Sequence, residues 1–257
     1  NHLMKQTKEM TENDTLLENR ELFIVGVGAS AGGLDAIYNL FDSNVPNHAS
    51  FIIIQHLPPE YKSTTAELLS KHTGEKVTEV KDGMLVEASR IYVMSERKRL
   101  TIQNGVMRLQ DAEISQFNNP IDVFFRSLAK DQGNKSIGIV LSGSNADGTS
   151  GAEAIKAAGG LIIAQDPGTT SFGSMPESVI NSGYADSTLA PGLMMQEINS
   201  HMRQRLLDSQ FAENNEGALE KIVDLIKNQS VQTMFVDNND RVWIGTRGNG
   251  LYYHTGS

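Results

Sequence analysis

LFIVGVGASAGGLDAIYNLF, residues 22–41, joins a short apolar run, a glycine-rich turn and a helical repeat of apolar residues. Residues 22–27 have the length and branching of a buried strand, whereas the apolar residues of 34–41 recur at helical spacing. We therefore predict a strand that leads directly into a helix, and we work outward from the turn between them.

The turn at residues 28–32 (GASAG) allows two interpretations. It fits the G-x-S-x-G pattern, in which a strained turn lifts a serine hydroxyl, here that of Ser30, to the top of a sheet. The N–H groups at the start of the next helix would then direct positive partial charge at anything bound beside Ser30. Alternatively, Gly26, Gly28 and Ala31 fit a looser dinucleotide fingerprint, in which glycines let the backbone approach a pyrophosphate.

The composition restricts the classes of function. A chain of 257 residues can bury the core of one α/β domain with residues left over. The net charge of −9 argues against nonspecific binding to nucleic acid and to anionic membrane surfaces. The absence of cysteine excludes disulfides, thiolate metal sites and a cysteine nucleophile, and it fits a reducing compartment. No apolar run approaches the ~20 residues that span a bilayer, so we expect a soluble, cytoplasmic protein without membrane insertion.

Three further apolar runs, at residues 50–55, 136–141 and 161–164, have the length of buried strands. Helical segments separate them, and this alternation predicts a parallel sheet. A strand at residues 90–94 precedes a predicted hairpin, whose turn is Asn104-Gly105.

The remaining segments are mainly helical. Asn119-Pro120 opens a helix whose apolar face comprises Ile121, Phe124, Phe125 and Leu128. A last short strand is predicted at residues 184–186, and a polar helix at residues 192–207. The candidate contacts of that polar helix are Leu193, Ile198, Met202 and Leu206.

Three predicted strands end in side chains of acyl-transfer chemistry: Ser30, His56 and Asp147. The carboxyl ends of parallel strands meet at one edge, where these side chains would act as nucleophile, general base and orienting carboxylate. Taken singly, each has an ordinary explanation as a turn residue, a strand-end histidine or a helix cap. Their joint placement favours a triad. A dinucleotide site would need an acidic residue where the second strand ends in Gln55-His56.

Six stretches of the chain form a specific set of motifs: GASAGG (28–33), QHLPPEY (55–61), DGMLVEASRIYVM (82–94), NPIDVFFRSLA (119–129), GIVLSGSNADGTSG (138–151) and FGSMP (172–176). In this order they resemble the catalytic domain of the chemotaxis protein-glutamate methylesterases, the CheB family. The resemblance implies a cytoplasmic serine esterase that hydrolyses glutamate methyl esters on the signalling helices of methyl-accepting chemotaxis receptors, or of a similar methylated signalling protein, and releases methanol. Many members also deamidate receptor glutamine.

The same resemblance implies the architecture and the site. We expect an α/β fold with a doubly wound, mostly parallel seven-stranded sheet, helices on both faces and a β-hairpin. The triad falls on Ser30, His56 and Asp147, with no metal and no cofactor. Three departures from the usual motifs mark candidate oxyanion and cleft residues. Ala31 replaces a threonine, Ser144 stands where a methionine usually lies, and FGSMP carries one residue more than FGMP beside Met175.

The predicted domain organisation has four parts. Residues 1–20 are interpreted as a leader or as residues added by cloning, and residues 21–207 as the methylesterase domain. Residues 208–230 would form a helical linker, and residues 231–257 a β-hairpin-like fragment that resembles one repeat of a sensor β-propeller. One repeat cannot close a propeller, because each blade buries its face on its neighbours.

Orthodox members of the family differ from this chain at the amino terminus. Those members carry a receiver domain there, which residues 1–20 are too few to form. The stretches GASAGG (28–33), QHLPPEY (55–61) and DGTSGAEAIKAAGGL (147–161) resemble more closely the version fused to methyltransferase and sensor modules. A non-catalytic receptor-docking module remains the alternative function, and the presence of all three triad residues favours catalysis. The oligomeric state is not predicted.

Overall fold

The computed structural model describes residues 22–55, 65–94, 98–111 and 119–227, together with three strands between 231 and 254. The chain divides into two compact units, Asn1–His201 and Met202–Ser257. The predicted leader, residues 1–20, lies outside the described residues.

The first unit is organised around a parallel sheet. The described part of this unit contains nine strands: β1 (Phe23–Ala29), β2 (Ala49–Gln55), β3 (Val77–Glu79), β4 (Ile91–Met94), β5 (Lys98–Gln103), β6 (Val106–Asp111), β7 (Ser136–Val140), β8 (Leu161–Gln165) and β9 (Ser187–Leu189). Seven of them form one sheet in the order β3-β4-β2-β1-β7-β8-β9, with β1 at the centre. All six pairs of neighbours in this sheet are parallel, which confirms the predicted fold class.

The other two strands, β5 and β6, form the predicted antiparallel hairpin. Its two turn residues, Asn104 and Gly105, both have positive φ, at 52° and 70°. This is the backbone conformation for which Asn-Gly is favoured in two-residue hairpin turns.

Helices cover both faces of the sheet. The α-helices among the described residues are α1 (Gly33–Leu40), α2 (Thr65–Thr73), α3 (Pro120–Gln132), α4 (Thr149–Ala157), α5 (Ser174–Asn181) and α6 (Pro191–Lys227), the last of which continues from the first unit into the second. On one face, α3 lies so close to β1 that a Cβ on Gly28 would be 2.6 Å from Ile121 Cγ2. On the other face, Phe41 at the end of α1 meets Phe51 of β2 edge to face, with ring centroids 5.1 Å apart. The predicted doubly wound arrangement is therefore confirmed.

The close approach of α3 also explains the glycines of the dinucleotide fingerprint. A Cβ on Gly26 would lie 2.8 Å from Phe125 Cε1, so both strand glycines make room for a helix. The predicted apolar face of α3 is confirmed as core, because its members are fully buried: Ile121, Phe124, Phe125 and Leu128. Full burial of each such side chain stabilises a fold by about 1.5–3 kcal/mol.

The last short strand lies three residues later than predicted. Residues 184–186 are not a strand, and β9 begins at Ser187. The reason is that Asp186 is bound to Ile162, the second residue of β8, by two hydrogen bonds. Its N–H donates to Ile162 O and its carboxylate accepts from Ile162 N, each at 2.8 Å.

Helix α6 runs past the predicted end at residue 207 as far as Lys227. Of its predicted contacts, Ile198 and Met202 are confirmed as buried, whereas Leu193 is 56% exposed and that prediction was wrong. Met194 and Met195 are buried instead, because positions 194, 195, 198 and 202 share one face of a helix that starts at Pro191.

The second unit contains a three-stranded antiparallel sheet in the order β10-β11-β12, formed by β10 (Val231–Val236), β11 (Val242–Thr246) and β12 (Gly250–His254). Residues 231–257, predicted to form a β-hairpin-like fragment, thus contain three strands. The residues between β10 and β11, 237–241, lie outside the described residues. None of the helices in the described part of the chain is both long enough and apolar enough to cross a membrane.

Candidate active site

Ser30 lies at the carboxyl end of the central strand, where β1 turns into α1. Its backbone N–H donates to Ser142 O at 2.9 Å, and its carbonyl accepts from Gly33 N at 3.0 Å. The residue is half-buried. The structure therefore holds Ser30 in the strand-turn-helix setting that the sequence predicts.

Ser142, which sequence reasoning did not single out, fastens this turn to its neighbours. It lies just beyond β7 and is fully buried. Its hydroxyl donates to Ala31 O at 2.6 Å and shares a hydrogen bond of 2.7 Å with Thr170 Oγ1. Its N–H donates to the side-chain oxygen of Gln165, at the end of β8, at 2.9 Å. The turn that carries Ser30 is thus fixed to the ends of two further strands.

Glycine is required in the same turn at position 32. Gly32 has φ +70°, and a Cβ there would lie 2.9 Å from Ser142 Oγ and 2.9 Å from the ring of Phe172. Any larger residue would be strained by its backbone and would displace the hydroxyl that binds Ala31 O.

Asp147 follows β7 and is only 2% exposed. Its carboxylate accepts two hydrogen bonds from the first turn of α3, from Ile121 N at 3.0 Å and from Asp122 N at 2.9 Å. Asn119, at the N-cap of α3, provides no side-chain cap. Asp147 is therefore a helix cap supplied from another part of the chain, and the helix dipole favours its negative charge.

The structure brings Ser30 and Asp147 to the same edge of the sheet, because β1 and β7 are parallel neighbours. On the other side of β1, β2 ends at Gln55, which pairs with Ala29. His56 is the next residue in the chain and lies outside the described residues. Its part in a triad therefore stays a prediction.

The three candidate oxyanion and cleft residues differ in their surroundings. Within the described ranges, the N–H groups of Ala31 and Ser144 have no hydrogen-bond partner. By contrast, Gly143 N donates to Phe172 O at 2.8 Å. Met175 is fully buried, and its N–H donates to Gly143 O at 3.0 Å. The side chain of Met175 packs against Gly143, since a Cβ on Gly143 would be 2.5 Å from Met175 Sδ.

Residues 25–198 match the family model of the CheB methylesterases. The chain belongs to this family. Among solved structures, the catalytic domain of the Thermotoga maritima CheB methylesterase resembles it with a TM-score of 0.65 and 30% identity, over 70% of this chain and 98% of that one. The family and the fold predicted from the six motifs are confirmed.

Two curated relatives show how much of a longer protein the chain spans. A protein-glutamate methylesterase/protein-glutamine glutaminase of Trichodesmium erythraeum is 29% identical over 75% of this chain and 56% of that protein. An uncharacterized 104.1 kDa protein of Rhodobacter capsulatus is 36% identical over 62% of this chain and 17% of that protein. The chain thus spans about half the length of the Trichodesmium methylesterase and less of the Rhodobacter protein.

One buried carboxylate of this CheB methylesterase domain was missed by sequence reasoning. Asp122 is 4% exposed, and its Oδ1 accepts from Gly148 N at 3.0 Å and from Gly151 N at 2.7 Å. Burial raises the pKa of Asp122 above its ordinary value, and the charge of Asp147 acts in the same direction, whereas the hydrogen bond from Gly151 opposes it. A signal was present in the sequence, because Asp122 lies one turn before Phe125 on the apolar side of α3.

No group of three His, Asp or Glu side chains in the described ranges is arranged to hold a metal ion. That the chain needs neither a metal nor another cofactor stays a prediction.

Proposed function

We propose that the chain is a serine esterase that hydrolyses glutamate methyl esters on the signalling helices of chemoreceptors and releases methanol. Membership of the CheB methylesterase family supports this proposal. The observation that carries it is the placement of Ser30 and Asp147 at one edge of the sheet. A half-buried serine on the turn after β1 lies at the same edge as Asp147, a buried carboxylate in the loop after the parallel neighbour β7, which accepts two hydrogen bonds.

The proposed reaction has two halves. In the first, the His56 imidazole takes the proton from Ser30 Oγ as that oxygen bonds to the ester carbonyl carbon. The tetrahedral intermediate collapses, and the methoxy group leaves as methanol with the proton that His56 returns. In the second half, His56 takes a proton from water, whose oxygen attacks the glutamyl-serine ester. The products are the glutamate carboxylate and the free Ser30 hydroxyl.

The remaining site residues would stabilise charge. Asp147 would orient the imidazole and favour the imidazolium that forms during each proton transfer. The N–H groups of Ala31 and Ser144 would donate to the oxyanion, since both are without a partner among the described residues. The exposed position of Ser144 supports this role, which needs only its backbone.

The substrate class extends to amides by the same steps. Relatives that match this chain are named protein-glutamate methylesterase/protein-glutamine glutaminase. On a receptor glutamine, ammonia would leave in place of methanol, and the product would again be glutamate. We place the protein in the cytoplasm, where the absence of cysteine suits a reducing compartment.

The test uses receptor-containing membranes that carry a radiolabelled methyl ester, and it measures the release of labelled methanol. We expect Ser30→Ala to lower the rate by about 10³-fold or more, because the nucleophile is lost while the fold remains. Ser182→Ala is the matched control. This serine is exposed, lies just after α5, and donates to Ser178 O at 2.8 Å.

Two outcomes would contradict the proposal. Methanol release at the wild-type rate by a folded Ser30→Ala protein would exclude Ser30 as the nucleophile. Tight binding of the receptor by the wild type with no methanol release would instead support the receptor-docking module.

A further inference from the structure

Asp122 and Asp147 cap each other's helices. The carboxylate of Asp147 accepts from two N–H groups at the start of α3, one of which is that of Asp122 itself, at 2.9 Å. The carboxylate of Asp122 accepts from Gly148 N and Gly151 N at the start of α4. Both carboxylates are buried. Two of the four hydrogen bonds, from Asp122 N to Asp147 and from Gly148 N to Asp122, close a ring between the two residues, and the other two bind the carboxylates to Ile121 N and Gly151 N.

We propose that Asp122 is a positioning residue of the esterase reaction, which holds the Asp147 carboxylate in the orientation that the general base requires. This inference rests on the proposed function, because it assigns a purpose to the orientation of Asp147. Asp122 does not touch the substrate in this proposal, and it acts only through Asp147.

The ring of hydrogen bonds leaves Asp147 little freedom to move. Gly148 is the residue after Asp147, so the hydrogen bond from Gly148 N to Asp122 at 3.0 Å fixes the peptide that joins them. The Asp147 side chain is held separately by Asp122 N. Backbone and side chain of Asp147 are therefore both bound to one residue of α3.

The close packing of α3 against α4 further restricts the movement of Asp147. A Cβ on Gly151 would lie 2.5 Å from Phe125 Cβ and 3.0 Å from Asp122 Cα. The two helices can approach this closely only because position 151 has no side chain. Since Phe125 is itself fully buried, α4 cannot shift toward α3.

Capping alone would not require two carboxylates. A serine, threonine or asparagine at each helix's own N-cap would satisfy the same N–H groups without bringing two buried like charges together. Instead, neither N-cap residue, Asn119 nor Gly148, makes a side-chain cap. What the crossed arrangement adds is a rigid connection between α3 and the residue that would orient the base.

The experiment compares three single variants with the wild type. Asp122→Ala removes the acceptor, whereas Asp122→Asn keeps an oxygen at Oδ1, the atom that accepts both hydrogen bonds. Asp131→Ala is the matched control. Asp131 also lies on α3 and also accepts from two backbone N–H groups, those of Asn104 and Gly105, but these belong to the hairpin turn.

The readout is the rate at which a fluorophosphonate labels Ser30, followed by mass spectrometry. This probe reports the activation of the serine and does not depend on the methylated substrate. We expect Asp122→Ala to slow labelling by roughly 10- to 100-fold, since a misplacement of about 1 Å at an active site can cost about 10²-fold. Asp122→Asn should label within a few-fold of the wild type, and Asp131→Ala within about twofold.

A double-mutant cycle separates positioning from a general structural role. If Asp122 acts through Asp147, then Asp122→Ala should slow labelling little further when Asp147→Asn is already present. An equal slowing in both backgrounds would overturn the inference. So would a slowing by Asp131→Ala as large as that by Asp122→Ala, or a failure of Asp122→Asn to restore the rate.

Two further arms complete the design. If Asp122→Ala does not fold, Asp122→Glu replaces it, because it keeps the charge but moves the oxygens by one methylene. It should label more slowly than Asp122→Asn, and an equal rate would overturn the inference. Labelling of the wild type without methanol release from receptors would remove the proposed substrate and leave the inference standing. Absence of labelling at Ser30 in the wild type would overturn the inference.

Discussion

Replacement of Gly151 by alanine tests how closely α3 and α4 must approach. Gly151 is the third residue of α4, and its φ lies outside the left-handed region, so alanine suits its backbone. The added Cβ would nevertheless lie 2.5 Å from Phe125 Cβ and 3.0 Å from Asp122 Cα. Neither of these atoms can rotate away, because both are fixed to the backbone of α3. The two helices must therefore separate.

The size of the effect follows from three contributions. Alanine is favoured over glycine in a helix by about 1 kcal/mol. Overpacking of a well-packed core costs about 1–3 kcal/mol, and a weakened hydrogen bond to the Asp122 carboxylate costs up to about 1.5–3 kcal/mol. We expect a net loss of about 2 kcal/mol in the free energy of unfolding, which lowers Tm by about 4–8 °C for a domain of this size.

Urea denaturation of the two proteins measures this loss, and Gly192→Ala is the control. Gly192 lies in the first turn of α6, where the nearest neighbour of an added Cβ is Asn39 O at 3.7 Å. This control should be as stable as the wild type or up to about 1 kcal/mol more stable. If Gly151→Ala were as stable as Gly192→Ala, the close packing of α3 on α4 would be refuted as a constraint.

Three other predictions concern pH and the carboxyl-terminal segment. If His56 is the general base, the esterase rate should fall on acidification with a midpoint near its ordinary pKa of about 6.5, and a flat profile between about pH 5 and 8 would exclude it. Because the folded-state pKa of Asp122 is raised, its contribution to stability is present below the unfolded value of ~3.9 and is lost as pH rises through the folded value. Urea titrations should therefore show Asp122→Asn gaining stability relative to the wild type as pH rises from about 4, and a difference that does not change with pH would contradict this. Deletion from Asp208 onward should leave a folded, active esterase, since the family match ends at residue 198 and the last buried position described in α6 is Met202. Circular dichroism and methanol release test this, and an unfolded truncated protein would contradict it.

The sequence predicted those features whose causes are local. The strand, the turn and the first helix follow from the apolar pattern of residues 22–41, and the apolar face of α3 follows from its helical spacing. Ser30 and Asp147 could be placed at one edge of the sheet because parallel strands bring their carboxyl ends together. Each of these inferences needs only a short window of sequence and one general rule of sheet geometry.

Features that depend on distant contacts could not be predicted. The strand β3 has only three residues, none of them fully buried, so no apolar run marks it. The crossed hydrogen bonds of Asp122 and Asp147 join residues 25 apart, and their geometry depends on how α3 packs beside the end of β7. The shift of the last strand to Ser187 likewise depends on hydrogen bonds from Asp186 to a strand 24 residues earlier.

Phe125 connects the packing of α3 to the chemistry of the site. A Cβ on any of three glycines, Gly26, Gly138 or Gly151, would lie 2.5–3.0 Å from an atom of this side chain. The Phe125 side chain therefore occupies a space that exists only because these three positions are glycine. The absence of side chains there allows α3 to pack close to β1, β7 and α4. The start of the same helix donates the two N–H groups that hold Asp147. The glycines Gly26 and Gly28, which resemble a nucleotide-binding pattern in the sequence, thus allow α3 to pack closely on the sheet. That packing fixes the Asp147 carboxylate at the edge of the sheet where Ser30 lies.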